Sequence, residues 1–419
     1  MSSIKQGYKQ TKVGIIPEDW DVVNFDELKD KTDKHSITGG PFGSDLKSEH
    51  YTTSGVRVIQ LQNIGDGKFI NKEFVYTSEE KANQLKNCLI YPNEIILAKM
   101  AEPVARACLI PLFEDKFLMC SDGIRLLVDK NRFSTKYVLE YINYDLFRKI
   151  AIDRSTGSTR GRIGLSDLKT IPLALPPLKE QEKIAEILTT WDEAISLHVK
   201  LIEEKEQLKI GLMQKLLSGE VRFEGFCDKW EEVRLGKLCE IKKGEQLNKD
   251  TLESNAEFPV INGGIEPSGF TDGWNTEANT ITISEGGNSC GYVNFLREKF
   301  WSGGHCYSLL NLKIDRLYLY QFLKYNQSAI MTLRVGSGLP NIQKSTIEKF
   351  IIYKPSLPEQ QKIAEVLSLA DDELTLLKKE LEVLKQQKKG LMQKLLTGEV
   401  RVRTGHHDII TPTHQEPIA

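Results

Sequence analysis

The chain has 419 residues, of which 40% are hydrophobic and 27% charged, with a formal net charge of −2. The length predicts two or three domains, and the composition is typical of a globular protein. No apolar run is long enough for a membrane span, the polar N-terminus lacks a secretory signal, and the charge excludes a uniformly basic DNA-binding protein. The seven cysteines contain no C-x-x-C pair, which predicts a cytoplasmic protein without a disulfide frame or a metal site.

The first globular region is predicted to be a mixed α/β domain with short strands separated by glycine-rich turns. Strands are expected at 55–61, 94–98 and 124–128, and a short helix at 136–150.

A long helix is predicted to follow, because a Pro-Pro pair precedes a stretch free of proline that ends at Gly219. The second globular region has the same character, with strands expected at 258–261, 280–284, 291–295 and 307–312 and a helix at 317–333. A second long helix then begins after Pro355 and ends near Gly398.

These regions are two copies of one unit. An offset of 179 places PPLKEQEKIAEIL, from Pro176, on PSLPEQQKIAEVL, from Pro355, and 26 of 47 aligned pairs are identical as far as Arg222 and Arg401. The helices match best, whereas the globular parts differ in length: 137 positions separate Trp20 from Gly157, and 106 separate the equivalent Trp230 from Gly336. The sequence therefore predicts variable domain, constant helix, variable domain, constant helix.

The second helix carries an apolar heptad stripe from Ile363 to Leu395, interrupted by Lys388, which predicts a coiled coil. The first helix carries a similar stripe with His198 and Lys205 on it, so the register stays open. The two helices most simply pack antiparallel against each other, and an ordinary helical hairpin is the alternative. Because polar positions also repeat, we expect a duplicated docking surface for two copies of one partner. Its candidate residues are Glu180, Gln181, Lys183, Glu186, Gln214, Lys215, Glu359, Gln360, Lys362, Glu365, Gln393 and Lys394.

Candidate DNA contacts lie in loops rich in glycine and polar residues. The loop 155–162 holds arginines among hydroxyl groups, and its repeat equivalent is 335–344, with Arg334 beside it. Such donors suit phosphate or base contacts, and a solvated loop is the alternative. An amide cluster beside Arg57, two lysines and Asn262 are further candidates. The full set is Arg57, Gln60, Gln62, Asn63, Ser158, Thr159, Arg160, Arg162, Lys242, Lys243, Asn262, Arg334, Ser337, Asn341 and Lys344.

Motifs for several catalytic chemistries are missing. The sequence has no Walker A loop, no Asn/Asp-Pro-Pro-aromatic box, no glycine-rich turn suited to an adenosyl cofactor, no H-E-x-x-H and no G-x-S-x-G. Lys99 and Arg106 are expected to be ordinary surface charges, and His305 beside Cys306 a buried strand pair rather than a metal ligand. We therefore expect no catalytic residue and no metal.

The order of the four segments and the motifs that open and close the helices resemble the specificity subunit of type I restriction–modification systems. The closing motifs are GLMQKLLSGEV, from Gly211, and GLMQKLLTGEV, from Gly390. The segments GYKQTKVGIIPEDW, from Gly7, and FWSGGHCYSLL, from Phe300, are also similar to that family. The resemblance covers nearly the whole chain up to Arg403.

The resemblance implies an α+β fold with a pseudo-twofold internal repeat and two target recognition domains separated by two long antiparallel helices that form a coiled coil. The expected segments are recognition domain 1 at 1–175, helix 1 at 176–219, recognition domain 2 at 220–354, helix 2 at 355–400 and a flexible tail at 401–419. Each domain would read one half of a split, asymmetric double-stranded DNA site, and unequal domain lengths imply unlike halves.

The implied partners are two methyltransferase subunits, which methylate adenine, and two motor-nuclease subunits, with no membrane. S-adenosylmethionine, ATP and Mg²⁺ would be held by those partners and not by this chain. A non-enzymatic scaffold whose domains bind proteins is the alternative, and a free-standing nuclease or methylase is disfavoured by the missing motifs.

Overall fold

The computed structural model describes residues 4–100, 102–157, 161–248, 250, 252–336, 338 and 340–403. The chain divides into two compact units, Met1–Ser196 with Glu382–Ala419, and Leu197–Leu381. Each unit holds one globular domain together with part of both long helices. The units are therefore copies of one arrangement, as the repeat predicts.

The first domain and its helix contain these elements. The strands are β1 (Tyr8–Thr11), β2 (Gly14–Pro17), β3 (Asp21–Asn24), β4 (Ile37–Gly39), β5 (Tyr51–Thr52), β6 (Val56–Ile59), β7 (Val75–Thr77), β8 (Leu89–Ile90), β9 (Ile95–Ala98), β10 (Ala107–Leu109), β11 (Phe117–Met119), β12 (Gly123–Leu126) and β13 (Pro172–Leu175). The helices are α1 (Glu79–Gln84), α2 (Thr135–Ile142), α3 (Asp145–Asp153), α4 (Leu165–Lys169) and α5 (Leu178–Leu217), with short 3-10 turns at Phe25–Leu28, Ser48–His50, Leu61–Asn63 and Lys86–Cys88.

The second domain and its helix repeat the pattern. The strands are β14 (Glu231–Arg234), β15 (Glu240–Lys243), β16 (Phe258–Ile261), β17 (Phe270–Thr271), β18 (Thr280–Ser284), β19 (Val293–Leu296), β20 (Trp301–Ser302), β21 (Cys306–Leu310) and β22 (Ile351–Lys354). The helices are α6 (Leu235–Leu238), α7 (Arg316–Tyr325), α8 (Gln327–Thr332), α9 (Lys344–Ile347) and α10 (Leu357–Leu396).

The two domains share one sheet plan. An antiparallel four-stranded sheet has the order β10-β9-β12-β4 in the first domain and β15-β21-β18-β19 in the second. Beside it lies a sheet with one parallel pair, β6 with β11 or β16 with β20. That second sheet has five strands in the first domain and three in the second, which accounts for part of the extra length of the first domain. Every strand predicted from the sequence overlaps an observed one, so those predictions are confirmed.

The two short helices predicted as continuous are each broken, so those predictions are wrong in detail. The first stops at Asn143, whose side-chain amide accepts from the Ala107 N–H and donates to its carbonyl, both at 3.0 Å. In the second domain, Gln327 accepts from the Val293 N–H at 3.0 Å, and Lys324 donates to the Val293 carbonyl at 2.9 Å. The helices therefore break where side chains complete the hydrogen bonds of an edge strand.

Each hydrophobic core is completed by both long helices. In the first unit, Ile184 and Leu188 from the start of α5 and Leu395 and Leu396 from the end of α10 are buried with the domain. In the second unit, the start of α10 and the end of α5 contribute, including Ile363, Leu367, Met213 and Leu217. The sequences that open and close the helices thus meet inside the cores, which gives a physical reason for their strong repetition.

Buried polar groups join the same helix ends to the domains. Glu180 accepts two hydrogen bonds of 2.8 Å from Arg401 and one of 3.3 Å from the Trp20 indole. Its repeat equivalent Glu359 accepts from Arg222 at 2.8 and 2.6 Å and from the Trp230 indole at 3.2 Å. We call each of these clusters a latch.

The neighbouring glutamines bind in the same repeated manner. Gln181 accepts from the Ser134 N–H and donates to the Pro176 carbonyl, while Gln360 accepts from the Asp315 N–H and donates to the Pro355 carbonyl. The prediction that Glu180, Gln181, Glu359 and Gln360 form a docking surface is therefore wrong, because all four are buried and bound within their own unit.

The latch of the first unit includes the first residues of the predicted tail. Arg401 additionally binds Asp19 at 2.9 and 2.7 Å, and Val402 packs against the first core. These first residues of the predicted flexible tail are thus held by the domain. The rest of the tail, 404–419, lies outside the described residues.

Polar residues on the heptad stripe have partners across the helix pair. In the second unit, His198 Nε2 donates to the Leu377 carbonyl at 2.9 Å, and Lys205 lies 2.6 Å from Glu373. The residue with the higher number on α5 contacts the residue with the lower number on α10, so these segments run antiparallel. In the first unit, Lys388 of α10 lies 2.6 Å from Asp192 of α5. These contacts settle the register that the sequence left open.

Candidate nucleic-acid interface

The predicted loops of the two domains have the same backbone frame. Thr156 and Arg162 exchange backbone hydrogen bonds of 2.9 Å, and Val335 and Asn341 exchange bonds of 2.8 and 3.0 Å. The offset of 179 relates both pairs, so the loops are structural equivalents and not only sequence equivalents.

Each loop is anchored at the end of a central strand. The Ile163 N–H donates to the Lys99 carbonyl at 3.0 Å, and the Ile342 N–H to the Glu285 carbonyl at 2.8 Å. The same strand ends bind a third segment, through Lys99 N–H to Asp122 and Glu285 N–H to His305, at 2.7 and 2.9 Å. Three chain segments therefore meet at one place in each domain.

In the first domain this place carries an ion pair. Arg162 Nη2 donates to Asp122 Oδ1 at 2.7 Å. The Arg162 side chain is 49% exposed and that of Asp122 is 17% exposed. The Asp122 carboxylate is thus mostly buried and binds a guanidinium that is half exposed. This arrangement is suitable for contact between the guanidinium and an external polar group.

In the second domain a carboxylate lies at the centre of a larger cluster. Glu285 accepts from Lys243 at 2.6 Å and from the Tyr307 hydroxyl at 3.0 Å, and His305 Nδ1 lies 3.4 Å from its other oxygen. Burial alone would raise the pKa of Glu285, but the hydrogen bonds from Lys243 and Tyr307 hold that pKa below its usual value. Glu285 is therefore an anion that orients two cationic or polar side chains.

Some predicted contacts in the first domain have internal roles instead. Arg57 lies 3.0 Å from Glu114 and over the ring of Phe74, and Asn63 is fully buried, where it binds the backbone of Gln60, Ile70 and Lys72. The prediction for Asn63 is wrong, because its buried amide is used to hold the loop after β6, whereas Arg57 is partly exposed and stays a prediction.

The adjoining amides divide between the loop and the surface. Gln62 is exposed and donates to the half-buried Gln60 at 2.8 Å. Arg106 donates to the Leu61 and Glu102 carbonyls and so also stabilises loops. Gln60 and Gln62 stay predictions.

The second domain keeps most of its predicted residues at the surface. Lys242, Arg334, Asn341 and Lys344 are exposed. Asn262 is half-buried and accepts from the His305 N–H at 3.2 Å, which places it at the same junction as Glu285. Four predicted residues lie outside the described residues, namely Ser158, Thr159, Arg160 and Ser337.

Sequence reasoning missed Asp122, Glu285 and His305. His305 was expected to be buried, but its side chain is 63% exposed, whereas Cys306 beside it is buried. His305 lies in the turn just before β21, which begins at Cys306, and the glycine pair ahead of it was the available signal for a turn residue at the surface. Asp122 carried no signal, since its partner Arg162 is 40 positions away.

The family profile described as "Type I restriction modification DNA specificity domain" matches residues 17–207 and 227–386. The chain belongs to this family. The two matches each contain one domain and most of one long helix, so the family unit is the repeat unit found in the sequence and in the structure.

Two curated relatives of this specificity family extend over nearly the whole chain, and a third matches part of it. A putative type I restriction enzyme MjaX specificity subunit of Methanocaldococcus jannaschii is 27% identical and covers 96% of this chain and 98% of its own. The MjaIX specificity subunit of the same organism is 25% identical over 94% of this chain and 96% of its own. A putative type I specificity subunit of Mycoplasma pneumoniae, S.MpnORF638P, is 35% identical over 40% of this chain and 46% of its own.

Solved structures show the same fold. The S subunit of a type I restriction–modification system from M. genitalium is similar with a TM-score of 0.62 and 24% identity, covering 90% of this chain and 96% of that one. A chain from a structure on complex assembly and conformational transition of the type I R-M system has a TM-score of 0.58 and 16% identity, covering 92% and 99%. The predicted α+β architecture with two recognition domains and two antiparallel helices is confirmed.

Among the described residues, no group of three or more His, Cys, Asp or Glu side chains is arranged to hold a metal ion. No helix in the described part of the chain is long and apolar enough to cross a membrane.

Proposed function

We propose that this chain is the DNA-recognition subunit of a type I restriction–modification complex, with each globular domain reading one half of a split, asymmetric site. The observation that supports this most directly is the duplicated loop frame. The backbone is the same twice, whereas the side chains differ, with Lys99 and Arg162 in one domain and Glu285 and Asn341 in the other. One scaffold with two sets of donors and acceptors suits two unlike half-sites.

The proposed partners are methyltransferase subunits, two per chain, and motor-nuclease subunits, two per complex. A duplicated surface supports the pairwise docking, because eight repeated polar residues remain exposed on the long helices. They are Lys183, Glu186, Gln214, Lys215, Lys362, Glu365, Gln393 and Lys394. We propose that the chain is not catalytic and that S-adenosylmethionine, ATP and Mg²⁺ are bound by the partners in the cytoplasm.

Co-expression with the neighbouring methyltransferase gene, followed by genome-wide mapping of N6-methyladenine, tests this function. We expect methylation at one bipartite sequence with two unlike halves, and none when the methyltransferase is expressed alone. Methylation without any sequence preference, or in a single uninterrupted motif, would contradict the proposal. Assembly with the methyltransferase but no retention of any duplex would favour the scaffold alternative.

A further inference from the structure

The two recognition domains place different ionisable side chains at equivalent backbone positions. Where the loop is anchored, the first domain has Lys99 and the second has Glu285. In the segment that binds these residues, the first domain has Asp122 and the second has His305. The carboxylate therefore belongs to the third segment in the first domain, as Asp122, and to the end of the central strand in the second domain, as Glu285. Asp122 contacts the exposed Arg162, and Glu285 contacts the exposed His305.

The exposed side chains have different hydrogen-bonding capacity. Arg162 has five N–H donors in a planar fork, and Asp122 accepts from only one of its nitrogens. His305 Nδ1 lies 3.4 Å from Oε2 of Glu285, an oxygen with no hydrogen-bond partner among the described residues, so a proton on Nδ1 of a neutral ring would face this carboxylate and Nε2 would present a lone pair. The first domain thus presents a donor fork, and the second presents an acceptor on His305 beside the half-exposed Lys243 ammonium, which Glu285 also binds.

We propose that Arg162 and His305 are the specificity-determining side chains of the two domains, Arg162 reading a guanine and His305 the exocyclic amino group of an adenine or cytosine. The inference rests on the proposed function. A guanidinium fork matches the O6 and N7 acceptors of guanine in the major groove. An imidazole lone pair matches the N6 amino group of adenine or the N4 amino group of cytosine, the major-groove donors of those bases.

Asp122 and Glu285 act as positioning residues in this arrangement. Each is mostly buried, with 17% and 13% of the side chain exposed, and each contacts the reading side chain from the protein side. Asp122 limits the rotation of the guanidinium, and Glu285 selects the ring tautomer. We therefore expect Asp122→Asn to broaden the same base preference as a substitution of Arg162, without changing the other half-site.

The test uses the complex of the full chain with its methyltransferase subunits and a duplex library in which each position of the mapped site is varied. Arg162→Lys keeps the charge and loses the fork, so we expect discrimination at one guanine of one half-site to fall by about 5- to 150-fold, the equivalent of about 1–3 kcal/mol. His305→Ala should relax one adenine or cytosine of the other half-site. His305→Gln should retain part of that preference, because an amide oxygen also accepts.

The unaltered domain provides an internal control in each case, and Arg154→Gln is the matched arginine control. Arg154 is bound to Thr170 within the first domain and should leave both half-sites unchanged. Thermal unfolding of each variant verifies its fold. Equal weakening on all sequences would identify phosphate contacts and overturn the inference, as would an unchanged site. If the unsubstituted complex shows no sequence preference, the proposed function itself fails.

Discussion

Arg401 donates two hydrogen bonds of 2.8 Å to Glu180, although 221 positions separate the two residues in the chain. Arg222 donates two hydrogen bonds to Glu359 in the same way in the second unit. Each arginine follows the glycine that ends one long helix, and each glutamate lies in the first turn of the other helix. The residues that repeat most strongly in the sequence therefore form the latch inside each unit.

Loss of this arginine should destabilise the unit that contains it. Arg401→Ala leaves the buried Glu180 carboxylate with only the Trp20 indole as a described hydrogen-bonding side chain, so we expect a loss of about 2 kcal/mol in the free energy of unfolding. Arg222→Ala should have an effect at least as large, because the Glu359 side chain is 1% exposed.

Urea denaturation followed by tryptophan fluorescence measures this effect, since Trp20 and Trp230 lie in the latches. Lys394→Ala, an exposed residue near the end of α10, is the control and should change the free energy by less than about 0.5 kcal/mol. Equal effects of Lys394→Ala and Arg401→Ala would show that the latch does not stabilise its unit.

The glycines that end the long helices are predicted to differ in their tolerance of a side chain. Gly219 and Gly398 have φ values of 75° and 72°, which cost about 1–2 kcal/mol for any other L-residue. A Cβ on Gly398 would also lie 2.4 Å from Pro17 Cδ, whereas a Cβ on Gly219 meets nothing nearer than 3.5 Å, at Trp230. Gly398→Ala should therefore destabilise more than Gly219→Ala.

Urea denaturation measures both variants against Gly211→Ala, a helix-interior glycine with no atom within 4 Å of its ideal Cβ. That control should be stabilising by about 0.5–1 kcal/mol, because alanine favours the helix. A Gly398→Ala variant no less stable than Gly219→Ala would contradict the contact with Pro17.

The repeat made the architecture predictable, and local pattern made the strands predictable. The β-branched run TITIS at 280–284 and the apolar run FPVI at 258–261 coincide with β18 and β16. The helix breaks were not predictable, because Asn143 ends its helix by binding Ala107, a strand residue 36 positions earlier. A side chain that forms hydrogen bonds with a distant strand does not alter the helical periodicity of the sequence around it.

The candidate site was predictable in position but not in detail. Equivalent loops at 155–162 and 335–344 could be aligned, whereas burial of Asn63 and Glu180 could not, since their polar character suggested a surface. Repetition of a polar residue has two physical sources, an external partner or an internal hydrogen bond. The sequence alone does not distinguish them, and Glu180 and Glu359 belong to the second kind.

The exposed repeated residues give a prediction about stoichiometry. Exchanging the charges of Lys183 and Glu186, or of Lys362 and Glu365, keeps the net charge but reverses one copy of the proposed docking surface. We expect each exchange to remove one methyltransferase subunit from the complex, as measured by native mass spectrometry, because charge complementarity selects the partner.

The control exchange is Glu206→Lys with Lys378→Glu, an exposed pair 2.6 Å apart whose residues do not recur in the repeat. It should leave two methyltransferase subunits bound. Retention of both subunits in all three exchanges would show that the duplicated polar face is not the docking surface.

The last prediction concerns pH and an internal difference between the units. Lys388 lies 2.6 Å from Asp192 and 3.2 Å from Glu140, whereas the equivalent of Glu140 in the second unit is Gln321, which donates to Asp371 at 2.7 Å. Burial, reinforced by Asp192, raises the pKa of Glu140 to about 7, and Lys388 opposes this rise.

Because the folded pKa exceeds the unfolded value of about 4.3, the folded state binds this proton more tightly. The favourable contribution of protonated Glu140 is complete at low pH, so the free energy of unfolding of the first unit should fall as pH rises from about 5 to above 7. We expect a loss on the order of 2 kcal/mol, and Glu140→Gln should remove it. Urea denaturation across this pH range measures the change.

Gln321→Glu is the matched variant in the second unit, where Asp371 pairs with Lys209 and Lys324 lies close by. Burial and the charge of Lys209 lower the pKa of Lys324 to about 8, so below that pH this site carries one more cation than the first. The added cation favours an ionised carboxylate, and Gln321→Glu should therefore introduce a weaker pH dependence than Glu140 has. A pH dependence in the unsubstituted chain that survives Glu140→Gln would assign it to other groups.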